Sequence, residues 1–141
     1  MPRLSLIAAI AFAAGLAAAP VNAADEPIDT ALEACLAAPD GQTTAGMVAC
    51  FGDAYAAWDK ALNQAYARLR SSLDHEAFAK LRDAQRAWLV YRDAESAFLA
   101  SLLTPERGTM MRIIANGMMT DLVKDRALAL RSLAEGEDER N

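Results

Sequence analysis

The chain has 141 residues, 54% of them hydrophobic, with 14 Lys or Arg against 19 Asp or Glu and a net charge of −5. That length suits one domain, large enough to bury a core and fold alone. The acidic balance argues against binding a nucleic-acid backbone, where Lys and Arg must neutralise phosphates, and it favours a basic partner, although a charge of this size also serves solubility alone.

Residues 1–23 read as a secretory signal. Arg3 supplies the positive start, Leu4 to Ala19 is an apolar run broken only by Ser5 and Gly15, and Val21-Asn22-Ala23 puts small residues at the cleavage positions. An uncleaved anchor needs about 20 apolar residues to span a bilayer, more than this run provides. Lipidation needs a cysteine just after the run, but Cys35 lies beyond Asp25, Glu26, Asp29 and Glu33. The expected product is residues 24–141, periplasmic or secreted, with no membrane insertion after cleavage. Arg3 is the only charged residue of the leader, so this product keeps all 19 acidic and 13 basic residues, a net charge of −6. Cys35 and Cys50 are an even pair in a chain expected to meet an oxidising compartment, and they read as a disulfide worth roughly 3 kcal/mol in the chain-entropy model. Metal binding is not expected, because His75 is the only histidine to join them.

In chain order, a polar lead precedes a short helix over 30–38, capped by Asp29 or Thr30 and stopped by Pro39-Asp40-Gly41. Thr43 or Thr44 caps a second helix over 45–72. Its apolar stripe is Met47, Cys50/Phe51, Ala54, Trp58, Leu62, Tyr66, Leu69 and Leu73, at helical steps of three and four. Asp74 caps a third helix over 75–103, with Phe78, Leu81, Ala84/Gln85, Trp88, Tyr91, Glu95, Phe98 and Leu102 in line. Thr104 to Gly108 ends it. The fourth helix covers 109–133, its inner side marked less cleanly by Met111, Ile114, Met118, Leu122, Arg126/Leu128 and Leu133, with a weak point at Asn116-Gly117. Residues 136–141 form a charged tail expected to fray. No strand signal is present. The fold class is all-α, a small antiparallel bundle of three long helices plus a short N-terminal helix and one disulfide.

No nucleophile–base pair can be assembled, and His75 at a helix start reads as solvated. Asp93 and Glu95 lie two apart and face different sides, whereas Asp121 and Asp125 share a face; on an acidic helical protein such carboxylates read first as solvated surface. Gln85, Trp88 and Arg92 put an amide, an indole and a guanidinium on one helix face. This is either a buried network, in which Arg92 pairs with a carboxylate and stacks near Trp88, or a recognition patch, and the network is the favoured reading. Met110, Met111, Met118 and Met119 are copper-ligand types, but such residues are more often soft core filler, so no metal or other cofactor is expected.

The ordered residues Cys35, Met47-Val48-Ala49-Cys50, Asp59-x-x-Leu62-Asn63-x-x-Tyr66-x-x-Leu69, Ala84-Gln85-x-x-Trp88-x-x-x-Arg92-Asp93 and Arg126-x-x-x-Leu130 resemble the N-terminal domain of the lysozyme inhibitor LprI-like family. The resemblance covers nearly all of residues 24–135. It implies an exported helical domain and, for some members, binding of lysozyme rather than catalysis. It also singles out Asp59, Asn63, Tyr66, Gln85, Trp88, Arg92, Asp93 and Arg126 as structural or interaction residues. The family's further cysteine pair falls here on Ser96 and Met118, so one bridge is missing as a unit. Those two positions are expected to lie close together, with Met118 filling the space of the absent sulfurs. Candidate contact surfaces for a basic hydrolase are the acids around Asp53 and Asp59 and the Pro39–Thr44 loop; the alternative function is an envelope interaction or scaffold module.

Overall fold

A computed structural model describes residues 26–140, so the segment 1–23 expected to be a signal, its expected cleavage site and Asn141 lie outside the described residues. Four helices follow in order: α1 (Pro27–Ala37), α2 (Thr44–Ser72), α3 (His75–Ser101) and α4 (Met110–Asp138), with single 3-10 turns at Asp40–Gln42 and Pro105–Arg107. No strand occurs among the described residues.

Two helix starts follow the expected caps. The Thr43 hydroxyl oxygen accepts the Gly46 N–H at 2.9 Å, and the Asp74 carboxylate accepts the Ala77 N–H at 2.8 Å, each satisfying a donor the first turn leaves open. Helix α1 instead starts three residues early. Pro27 occupies its first turn, where a fixed φ and a missing N–H cost nothing, and Glu26 at the cap position makes no side-chain cap bond. The link from α1 to α2 is tight enough to demand glycine: a β-carbon on Gly41 would sit 1.9 Å from the Cys35 carbonyl oxygen, and one on Gly46 would sit 1.8 Å from that of Asp40. The Cys35–Cys50 disulfide closes this corner, with α-carbons 5.8 Å apart.

Helices α2 and α4 make the most intimate contact in the molecule. The Thr120 hydroxyl donates to the Phe51 carbonyl at 3.1 Å near one end, and Arg68 pairs with Asp138 near the other. The two helices therefore run parallel, as two successive reversals require. Trp58, Leu62, Ala65 and Leu69 of α2 meet Val123, Ala127, Leu130 and Ala134 of α4 in the core, and the alanines let the backbones approach. Trp58 is 1% exposed.

Helix α1 lies antiparallel on one flank of this pair. Asp29 holds Lys124 at 2.5 Å, and Glu26 forms a two-pronged pair with Arg131. Helix α3 lies antiparallel on the opposite flank, where Phe78 stacks on Tyr66 with ring centres 5.7 Å apart. It buries only Gln85 and Leu99 fully.

The stripe expected on α2 is the one buried, but that on α4 is not. The buried α4 residues are Ala115, Thr120, Val123, Ala127, Leu130 and Ala134, most of them one position beyond the expected series. One residue is a rotation of about 100° on a helix, so Ile114, Met118 and Leu133 point outward instead. Small side chains win the inner face because α2 comes so close. Gly117 does not break α4; it lies against the Phe51 ring. The tail likewise stays helical to Asp138, beside ion pairs from Arg68 to Asp138 and from Arg140 to Glu137.

Candidate functional site

The residues singled out by motif converge on the seam where α3 meets α2 and α4. On α2, the Asn63 amide donates to the Asp59 carboxylate at 3.1 Å and to its carbonyl at 2.8 Å, one helical turn apart. Tyr66, one turn further on, carries the Phe78 ring. On α3, Gln85 is buried and accepts from Arg126 Nε at 3.0 Å, bringing the α4 motif residue into the same seam. A shallow hollow lined by Asn63, Tyr66, Arg82, Gln85, Arg86 and Leu89 opens beside it.

Arg126 has no carboxylate partner among its hydrogen bonds, and its Nη2 is buried without any partner among the described residues. Burial lowers its pKa from the usual guanidinium value. The cost of holding a cation there is met in part by Gln85, which explains why an amide rather than an alkyl group occupies the inner face of α3.

The expected Arg92 network is present in reduced form. The Arg92 guanidinium lies 5.7 Å from the centre of the Trp88 ring and donates to its neighbour Asp93 at 2.8 Å. That hydrogen bond raises the Arg92 pKa while burial opposes it. Asp93 itself is exposed, so the pair belongs to the surface and adds at most about 1 kcal/mol. Trp88 and Arg92 are half-buried rather than enclosed, because α3 stands off from the α2–α4 pair; the fully buried tryptophan is Trp58. This seam fastens helices. It holds no nucleophile–base pair, His75 is exposed, and the described residues contain no group of acids, cysteines or histidine fit to hold a metal.

Two open grooves flank the bundle. The first lies between α1 and α2 over the disulfide. Ile28, Ala31, Leu32, Ala54 and Ala57 make it apolar, and Asp53 is its single acid. The second lies between α3 and α4. Tyr91, Met118 and Leu122 floor it, and Glu95, Asp121 and Asp125 edge it, in a volume of about 260 Å³. Asp121 and Asp125 share a face as their spacing implies, and Met118 joins them. Met118 is 47% exposed and Ser96 is exposed too, so Met118 fills no enclosed volume at the position of the family's second bridge. Met110 is also exposed, which removes the core-filler role there as well. The Pro39–Thr44 loop folds as a 3-10 turn against α2. Asp59 is half-buried beside Asn63, on the side of α2 within electrostatic reach of Arg92. No local pattern signals the Glu26–Arg131 and Asp29–Lys124 clamps, whose partners lie far apart in the chain.

Comparison with known proteins places this arrangement. The family model described as lysozyme inhibitor LprI matches residues 35–130, from the first cysteine to Leu130. A solved structure of an uncharacterized protein from Burkholderia thailandensis superposes with a TM-score of 0.75 at 33% identity, over 80% of this chain and 55% of that one. This chain thus spans little more than half the length of that protein. No curated protein matches it significantly. With a family match over most of the described helices and a solved relative of the same fold, the chain belongs to the LprI lysozyme inhibitor family.

Proposed function

We propose that this protein is an exported binding protein that inhibits lysozyme or a related basic cell-wall hydrolase, and that it performs no catalysis itself. The observation that carries this reading is the family match across residues 35–130. Export is supported by the leader-like residues 1–23 and by the Cys35–Cys50 disulfide, a bond that lasts in oxidising compartments. No described helix is long and apolar enough to cross a membrane. The charge of −6 on residues 24–141 suits a basic enzyme, since opposite fields speed encounter and discourage acidic competitors. Inhibition then needs only occupancy: a surface seated over a polysaccharide cleft keeps substrate from the enzyme's two carboxylates.

The test is peptidoglycan turnover by a basic lysozyme, with and without oxidised residues 24–141, at low salt and at about 0.5 M salt, where exposed charges beyond a few ångströms are screened. Dose-dependent inhibition that weakens with salt is expected. Unimpeded turnover in the presence of well-folded protein overturns the proposal. In that event the half-exposed apolar side chains of Tyr91, Phe98 and Met118 favour the second reading, an envelope interaction module.

A further inference from the structure

We infer that the groove between α3 and α4 is the surface that seats the basic enzyme, accepting a lysine or arginine flanked by an apolar side chain; this rests on the inhibitor reading above. The groove joins an apolar floor to three acids along its edge. Its floor is apolar and open, with Tyr91 54% and Met118 47% exposed and Leu122 between the acids of α4. Phe98 and Ile114, both exposed, continue the same two helix faces a turn or two further along. Its edge carries Glu95, Asp121 and Asp125, none of which takes part in an ion pair among the described residues.

Many other surface acids are already matched. Asp83 faces Arg82 and Arg86, Asp93 faces Arg92, Asp138 faces Arg68, and Asp29 and Glu26 hold α4. The α1–α2 groove offers apolar surface but one acid only. A cation entering the α3–α4 groove meets three carboxylates that hold no close ion pair, two of them sharing only the more distant field of Lys124, beside surface that gains from losing water. An ion pair edged by apolar contact is the kind that adds affinity as well as steering. The same carboxylates repel a second copy of this acidic chain, so the groove suits a basic partner and not self-pairing.

The experiment titrates oxidised residues 24–141 with a strongly basic lysozyme by calorimetry, using four variants checked for native helicity and melting, among them Asp53→Lys in the α1–α2 groove. Asp121→Lys with Asp125→Lys reverses the groove. Glu33→Lys with Glu76→Lys makes the same change in net charge at exposed positions lining neither groove. Tyr91→Ala trims the floor without touching charge. The groove reversal is expected to raise Kd on the order of a hundredfold, and Tyr91→Ala about tenfold, against about threefold or less for the distant pair. Equal weakening by both double variants leaves only net charge at work and overturns the groove. So does binding lost through Asp53→Lys but not through the groove reversal, or a dimer of the unmodified protein that the groove variants dissociate. Absence of any binding by the unmodified protein sinks the inhibitor reading and this inference with it, whereas binding indifferent to the groove sinks the inference alone.

Discussion

Trp58 and Trp88 sit on the inner faces of neighbouring helices, yet the molecule treats them differently. Trp58 lies among Leu62, Val123 and Leu130 in the contact between α2 and α4, and the Lys124 ammonium rests 5.8 Å from the centre of its ring. Its indole N–H has no hydrogen-bond partner among the described residues. Trp88 packs against the rim of the same core and is capped by Arg92, with part of its ring in solvent. Trp58→Ala should therefore lower stability by about 3–5 kcal/mol, and Trp88→Ala by roughly half as much, because less surface is lost and water can enter the space. Urea unfolding of the two variants tests the order; a larger loss at Trp88 would mean that α3 is packed more tightly than its side-chain exposures indicate. The spacing of apolar residues put both tryptophans on inner faces. It carried no information on how far each helix stands from the others, which is what separates them.

At the scale of the element, α4 is the instructive helix. Sequence periodicity selected its largest side chains as the inner series, whereas the buried series is Ala115, Thr120, Val123, Ala127, Leu130 and Ala134. The rule that large apolar groups face inward fails where two helices touch closely, since the volume between them is too small for Met or Ile. On α2 the same rule succeeded, because Trp58, Leu62 and Leu69 supply the bulk and α4 supplies the space. Ala127→Leu should then overpack the contact and cost about 1–3 kcal/mol, while Met118→Leu on the outer face should change stability by less than about 0.5 kcal/mol. Thermal melting of both variants decides it, and tolerance of leucine at 127 would contradict the close α2–α4 approach. The outward turn of Ile114 and Met118 has a second consequence. It puts Met118 on the floor of the α3–α4 groove and Ile114 beyond its end, so the misjudged face of α4 and the groove proposed to bind the enzyme share one cause. The motif seam was legible in the sequence only as a set of residues. That Asp59, Asn63, Gln85 and Arg126 form a joint, rather than a reacting centre, depends on partners from three helices.

At the scale of the molecule, the bundle is an α2–α4 pair carrying one helix on each flank, and the two flanks are fastened by different means. Helix α3 adheres through mostly half-buried side chains, with only Gln85 and Leu99 fully buried. Helix α1 is short and has no fully buried residue, so it depends on the Cys35–Cys50 bridge and on the Glu26–Arg131 and Asp29–Lys124 pairs. Cys35→Ser should lower the melting temperature by an amount equivalent to about 3 kcal/mol under oxidising conditions and by nothing in excess reductant, where both proteins lack the bridge. An equal difference in both buffers would count against a bridged native state. The ion pairs add a pH dependence of defined sign. The hydrogen bond from Arg131 is the largest influence on Glu26 and holds its carboxyl pKa below the usual carboxylate range, while the same bond raises the pKa of Arg131. A carboxylate with a folded pKa below its unfolded one stabilises the fold above the unfolded value of 4.5 and loses that contribution as pH falls through the folded pKa. Arg131 stays charged throughout this range, so Glu26 alone sets the window. Acidification below pH 4.5 should thus loosen α1 before the α2–α4 core responds, with the disulfide limiting how far it departs. Hydrogen exchange followed by helix is the measurement: amides of residues 28–37 should lose protection first as pH drops, once the intrinsic acid dependence of exchange is divided out. Arg131→Met should flatten that response, because Glu26 then loses its largest stabilising influence and keeps only the weaker field of Lys124. If α1 and the core lost protection together, the pairs would be ornaments of the surface and the short helix would be held by the bridge and its apolar underside alone.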